Sequence, residues 1–335
     1  MKKDDGWTIL REIELHEWIV IAYILCILLL RFFLGFWEIP VLKLTFGTIE
    51  YLLSNLLFLP GVILKYMSYI PQHELILVIT TSAAVIYMVE KKKKIAVPRN
   101  TWLFLRAILS MFALVMVYDT LSNYQEQNNL VYILNQHDYT QIFMRCDQEM
   151  FGIQPTIYLQ QYANPLLTEI MYLTYGLHFV FPIMIAYVLA QKKEKDQLNE
   201  YILAVVILIV CGTTMYFIFP GKSPIYTLDY TNELKGYFLS DIIKFKVDET
   251  RNYHLDCCVF PSIHVALAAL NLLYAFKYTK KTGKMLAIPI ILSWIATVYL
   301  RRHWAIDGIA GIILASTVYK ITPSIYHWWN KKKIK

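Results

Sequence analysis

Residues 201–219 read Tyr-Ile-Leu-Ala-Val-Val-Ile-Leu-Ile-Val-Cys-Gly-Thr-Thr-Met-Tyr-Phe-Ile-Phe, without one charged side chain. Wound as a helix, such a stretch is about 28 Å long, close to the roughly 30 Å hydrocarbon core of a bilayer. Inside that core each backbone N–H and C=O needs a partner within the protein, which a helix supplies from its own turns. This stretch is therefore expected to be a membrane-spanning helix. Working outward from it, apolar stretches at 17–37, 75–90, 102–120, 166–190, 262–278, 285–302 and 305–327 repeat the pattern. The fold class expected is all-α: a polytopic transmembrane helix bundle.

Composition agrees. The 335 residues are 57% hydrophobic and 17% charged, with a mean hydropathy of +0.43, and a soluble domain of this length needs more polar surface. A further apolar stretch, 48–70, holds Glu50, Pro60, Gly61 and Lys65. It is compatible with a span, a re-entrant hairpin or an interfacial helix, which leaves the side of the N-terminus open. Lys2 and Lys3 are followed at once by Asp4 and Asp5, and no small-residue cleavage site follows the first apolar run. A cleaved signal peptide is not expected.

The net charge of +7 comes from short basic blocks between apolar stretches: Lys91–Lys94 with Arg99, Lys192–Lys195, Lys277 to Lys284, and Lys331–Lys335. That distribution marks cytoplasmic loops and calls for no nucleic-acid partner. The two long connections, 121–165 and 220–261, carry little basic excess; Arg145 is the single Lys or Arg of the first. They are expected outside the cytoplasm, as ordered caps rather than slack chain. The domains expected are an N-terminal extension, 1–100, with two or three membrane segments; a six-helix core, 101–327; and a basic cytoplasmic tail, 328–335. Oligomeric state is left open.

Two segments carry the candidate chemistry: Cys257-Cys-Val-Phe-Pro-Ser-Ile-His264 and Tyr299-Leu-Arg-Arg-His-Trp-Ala-Ile-Asp307. The charge pattern sets both on the extracytoplasmic side. His303 and Asp307, four apart, share a face if the turn is helical. The carboxylate then accepts Nδ1–H and leaves Nε2 unprotonated for attack. Pro261 and Ser262 suit the start of a helix, so His264 sits in a first turn whose free N–H groups attract phosphate. Lys222, Arg301 and Arg302 are candidate phosphate donors. The set fits phosphoryl transfer through a phosphohistidine: neutral His303 attacks phosphorus, and protonated His264 gives its proton to the leaving alkoxide. Water or a second alcohol then takes the phosphoryl group. The scheme needs no metal or other cofactor.

These residues resemble a known family. Phe260-Pro-Ser-Ile-His264 and Arg302-His303-Trp-Ala-Ile-Asp307 look like the second and third motifs of the type 2 phosphatidic acid phosphatase superfamily. Asp147-x3-Phe151-Gly152-x2-Pro155 and Phe219-Pro220-x3-Pro224 are similar to its inositol phosphorylceramide synthase (aureobasidin-resistance) branch. The resemblance covers residues 102–320. It implies a six-helix phosphatidic-acid-phosphatase-type core with its site at the outer membrane face. It also implies His303 as nucleophile, Asp307 as its orienter and His264 as acid.

The departures are Ile263 for Gly, Trp304 for Tyr, Ala296-Thr297 for Ser-Arg, and loss of the first motif apart from Lys222 near Pro224. Fewer cations suit a singly charged phosphodiester better than a terminal dianionic phosphate. Transfer of a phospho-head group between lipids is the first expectation. Simple hydrolysis of a lipid or polyprenyl (di)phosphate is the second, and a transporter or scaffold with a degenerate site is the third. The substrate expected is a lipid phosphate or phosphodiester drawn from the membrane.

Other residues have plainer readings. Glu169, Tyr172, Tyr175 and His178 form a helical stripe, whose Tyr175 is a candidate lining of the substrate pocket. Asp147 and Pro155 are expected to shape the cap. A zinc site from Cys257, Cys258, His264 and His303 is disfavoured because the cysteines are adjacent. A disulfide from Cys146 to Cys257 or Cys258 depends on an oxidising compartment.

Overall fold

A computed structural model describes residues 13–33, 99–122, 131, 134–192, 194–231, 233–237 and 258–334. The stretches 48–70 and 75–90 and half of the second long connection lie outside them. The long helices are α1 (Leu15–Phe33), α2 (Arg99–Ser122), α3 (Thr140–Phe151), α4 (Pro165–Gly176), α5 (Val180–Gln191), α6 (Lys195–Ile218), α7 (Ile263–Tyr278), α8 (Lys280–Tyr299) and α9 (Ala305–Ile334). Three of them, α6, α8 and α9, are long and apolar enough to cross a membrane, or four spans if the bent pair α4–α5 counts as one. The chain is a multi-pass membrane protein.

A helix apolar on all sides belongs inside a bundle, and α6 is such a helix. It packs against α1, α2, α5, α7 and α9, and its residues from Leu198 to Tyr216 are largely buried. The polar groups it takes inside are paired: Tyr201 Oη donates to Asn271 Oδ1 at 2.7 Å, and Tyr23 and Thr213 share a hydroxyl bond of 2.6 Å. Beside it, α7 packs closely on α8 and α9. Ala266 keeps the face toward α9 thin. At Gly311 an added Cβ would lie 2.6 Å from the Ser262 carbonyl oxygen and 3.1 Å from the Ala266 nitrogen. The crossing therefore needs glycine there.

The stretch 166–190 is not one straight span. It breaks at Leu177–Phe179, where a 3-10 turn intervenes, and α4 and α5 diverge by 48°. Pro182 explains the break: it offers no N–H to the carbonyl four residues before it. The first long connection is ordered in its described part. It holds α3 and the short turns Pro155–Tyr158 and Leu159–Tyr162, and α3 ends at Gly152, whose φ of 72° is one glycine tolerates.

The basic ends of the helices gather at the end of the bundle opposite the two histidine segments. There Lys192 Nζ donates to the Tyr278 carbonyl at 2.6 Å, and Lys195 pairs with Glu14 at 2.8 Å. Lys277 meets the buried Glu200 at 2.7 Å, and Tyr326 Oη donates to Asp196. Helix α1 joins the core through Glu17 and Arg106. Helix α9 runs on through residues 328–334, so the basic tail is helical that far. Cys146 is a free thiol; Cys257 lies outside the described residues.

Candidate active site

Three segments meet at the other end of the bundle: the start of α7, the turn between α8 and α9, and the start of α9. Ser262 caps α7 by accepting Val265 N–H at 3.3 Å. Its own N–H donates to the Asp307 carbonyl at 3.0 Å, which ties the two helix starts together. The turn after α8 folds back so that Arg302 N–H and His303 N–H both donate to the Thr297 carbonyl, at 2.9 and 3.1 Å. That reversal places Arg301 at φ 64°, a left-handed conformation costly for a residue with a Cβ. Its guanidinium holds the turn from outside: Nε and Nη2 donate to Gln160 Oε1 at 3.2 and 2.6 Å, and the plane lies 3.9 Å from the Tyr230 ring centre.

His303 is buried, and its Nδ1 faces two acceptors: the Val259 carbonyl at 3.1 Å and Asp307 Oδ2 at 3.4 Å. The carboxylate is the farther because α9 begins at Ala305. His303 lies ahead of the helix, so the four-residue spacing is not helical there. Asp307 Oδ2 also accepts Trp304 N–H at 2.9 Å, so the fully buried carboxylate braces the turn as well as the imidazole. Burial pushes His303 down from 6.5 to about 3; the Val259 carbonyl opposes this, while Arg302 and His178 add to it. The imidazole is thus neutral at pH 7, and with Nδ1–H directed at Val259 the Nε2 lone pair is open.

That lone pair faces His264 Nδ1 at 3.2 Å. The other nitrogen of His264, Nε2, lies 3.1 Å from Tyr175 Oη, and the two rings stack with centres 5.1 Å apart. His178 sets its ring edge-on against His264 at 4.3 Å. Arg302 lies within electrostatic reach of His264, His303 and Tyr175. Lys222 is anchored by its backbone: its N–H donates to Thr140 Oγ1 at 2.7 Å, and its carbonyl accepts the Trp304 indole N–H at 2.9 Å. Its side chain is exposed. His264, His303, Asp307, Ser262, Tyr175 and Arg302 are therefore brought together. Lys222 joins at the rim through Trp304, and Arg301 is turned onto Gln160.

Asp147 enters from the cap. Its carboxylate is fully buried and accepts Ala305 N–H and Ile306 N–H, each at 2.8 Å. It closes the N-terminus of α9 from 158 residues away, where the helix dipole favours an anion. Burial raises its carboxyl above the usual range, and the two backbone donors hold that rise back. His178, Gln160 and the Val259 carbonyl were not anticipated as site groups. For His178 the three-residue stripe was the available signal; a backbone carbonyl leaves none. Ile263 is accommodated by Gly212, where a Cβ would come within 2.7 Å of its side chain. Among the described residues, no three His, Cys, Asp or Glu side chains are grouped to hold a metal ion.

Residues 141–321 match the model of the PAP2 superfamily. A stretch of 100 residues, 28% of the chain, is 33% identical to a PA-phosphatase related-family protein of Dictyostelium discoideum. The match spans 18% of that relative's length. No solved structure matches the chain.

Proposed function

The chain belongs to the PAP2 superfamily, and from that membership we propose that it cleaves a lipid phosphoester through a phosphohistidine formed on His303. The observation that carries the proposal is the 3.2 Å contact between His303 Nε2 and His264 Nδ1, with Nδ1 of His303 committed to Val259 and Asp307. His303 is the nucleophile, since burial keeps it neutral and its outer nitrogen bears a lone pair. When phosphorus enters between the rings, the Nε2 lone pair forms the P–N bond and the P–O bond to the alkoxide breaks. The Nδ1 proton of charged His264 passes to that oxygen. In the second half, Nδ1 takes a proton from water or an acceptor alcohol, whose oxygen displaces His303 from phosphorus.

Asp307 orients His303 and stabilises its charge. Arg302 and Lys222 are the phosphate contacts, with Ser262 at the helix start. Arg301 we assign to holding the turn, since two of its N–H groups are bound to Gln160. Residues 101–327 form the catalytic unit, and its site faces away from the cytoplasm, supported by the basic helix ends gathered at the opposite end.

Head-group transfer between lipids is the preferred outcome, on the likeness of the motifs around Asp147 and Pro220 to the inositol phosphorylceramide synthase branch. Hydrolysis is the second outcome, favoured by the likeness to the Dictyostelium PA-phosphatase related-family protein. Purified protein incubated with labelled lipid phosphates and phosphodiesters, with and without a lipid alcohol, separates them. Label is expected on histidine and absent in His303→Ala. Product formation only with the alcohol supports transfer, and free phosphate without it supports hydrolysis. No labelled protein or product from any lipid, together with complete insensitivity to vanadate, would leave a scaffold.

A further inference from the structure

Each histidine of the pair has an inner nitrogen facing its partner and an outer one. The outer nitrogens are partnered differently. His303 Nδ1 meets a backbone carbonyl, which can only accept, so that nitrogen keeps its proton through every state. His264 Nε2 meets the Tyr175 hydroxyl, which can donate or accept. The difference matches what the chemistry asks. In the resting pair, His264 Nδ1–H donates to His303 Nε2, leaving His264 Nε2 to accept from Tyr175. In the working states the demand reverses: His264 carries Nε2–H both as the imidazolium and after Nδ1 has given its proton to the leaving oxygen. A carbonyl in the place of Tyr175 would oppose the resting tautomer.

The setting of Tyr175 supports this assignment. It is buried in the last turn of α4, two residues before the break at Leu177–Phe179, and its ring stacks on His264 while its hydroxyl reaches Nε2. His178 is bonded to the Tyr175 carbonyl and presses on His264 from another side. The two residues clamp one imidazole. The titratable and charged groups facing His264 are Tyr175 and His178 from the broken helix, and His303 and Arg302 from the turn before α9. Arg302 and a charged His178 both oppose a proton on His264; His303 Nε2 accepts from its inner nitrogen, and the Tyr175 oxygen is positioned to accept from its outer one.

We propose that Tyr175 is a positioning residue for proton transfer by His264, its hydroxyl changing from donor to acceptor as His264 takes up charge, and that it does not touch the substrate. The proposal rests on the phosphohistidine mechanism and deepens it. The test is Tyr175→Phe in the full-length protein, read in two ways. In the pH profile of turnover, the high-pH limb that reports loss of the His264 proton is expected to move about one unit lower, a tenfold shift in that equilibrium. KM is expected to stay unchanged while kcat falls.

NMR titration of isotopically labelled His264 in micelles is expected to show the same shift without any turnover, so a wrong assignment of the reaction would not hide the result. If Tyr175→Phe does not fold, p-aminophenylalanine at 175 keeps the shape and a donor but accepts poorly, and should shift the limb the same way. An unmoved His264 titration would overturn the proposal, and so would a raised KM with an unmoved limb.

Discussion

Gly311→Ala tests whether the close crossing of α7 and α9 sets the site. The added methyl would sit 2.6 Å from the Ser262 carbonyl oxygen, 0.8 Å short of the 3.4 Å at which ordinary contact begins. The obstacle is backbone at the capped start of a helix, so no rotamer change relieves it. The helices have to part by most of an ångström, at an overpacking cost of about 1–3 kcal/mol. Alanine recovers up to about 1 kcal/mol of helix propensity. Gly308→Ala is the matched control, because its methyl meets nothing nearer than Val265 at 3.7 Å.

The difference between the two variants therefore isolates the contact, at about 1–3 kcal/mol in favour of Gly308→Ala. Ser262 is two residues from His264, and Ser262 N–H is bonded to Asp307. Parting them also stretches the 3.2 Å contact between the histidines beyond hydrogen-bond reach. The assay is the thermal unfolding midpoint in detergent, followed by phosphohistidine formation with labelled lipid. Gly311→Ala should melt lower and label more slowly than Gly308→Ala. Equal midpoints and equal labelling would refute the idea that this crossing sets the histidine geometry.

Asp147→Ala leaves Ala305 N–H and Ile306 N–H buried without their acceptor and should cost about 2 kcal/mol, with loss of labelling that Asp147→Asn restores only in part. Circular dichroism melts of the three proteins check it. Stability should also depend on pH through His303. Between about 3, its value in the fold, and 6.5, its usual value, the unfolded chain binds a proton that the folded protein refuses. Stability is therefore lost as pH falls through that window, with a slope approaching about 1.4 kcal/mol per unit from this group. Melts of wild type and His303→Gln from pH 7 to 5 should show a shallower slope in the variant; parallel slopes would count against a buried neutral His303.

Much of this was legible in the sequence because bilayer physics leaves few options for an uncharged stretch such as 201–219. The break in 166–190 was missed although Pro182 was visible, since proline within an apolar stretch marks either a kink or a tolerated interior residue. The pairing of His264 with His303 followed from motif and topology, whereas their outer partners did not. Val259 acts through its carbonyl, which any residue possesses, and Tyr175 was one aromatic in a stripe. Asp307 was expected to hold His303 across a helical turn. The helix starts two residues later than that geometry needs, so the carboxylate braces Trp304 and shares Nδ1 with a carbonyl. Arg301 and Arg302 are adjacent and alike in type, but a positive φ sends the first to Gln160 and Tyr230.

The bond from Asp147 to the start of α9 bears on how the protein is made. Synthesis proceeds from the N-terminus, so the cap helix is in place long before residues 305 and 306 exist. Until they arrive, the Asp147 carboxylate lacks its two donors. A chain cut short of Ala305 thus holds the Asp147 carboxylate without its two donors, an unmet acceptor at the end of the bundle where the two histidine segments lie. That end of the bundle is therefore closed by the start of α9 and not by the cap alone.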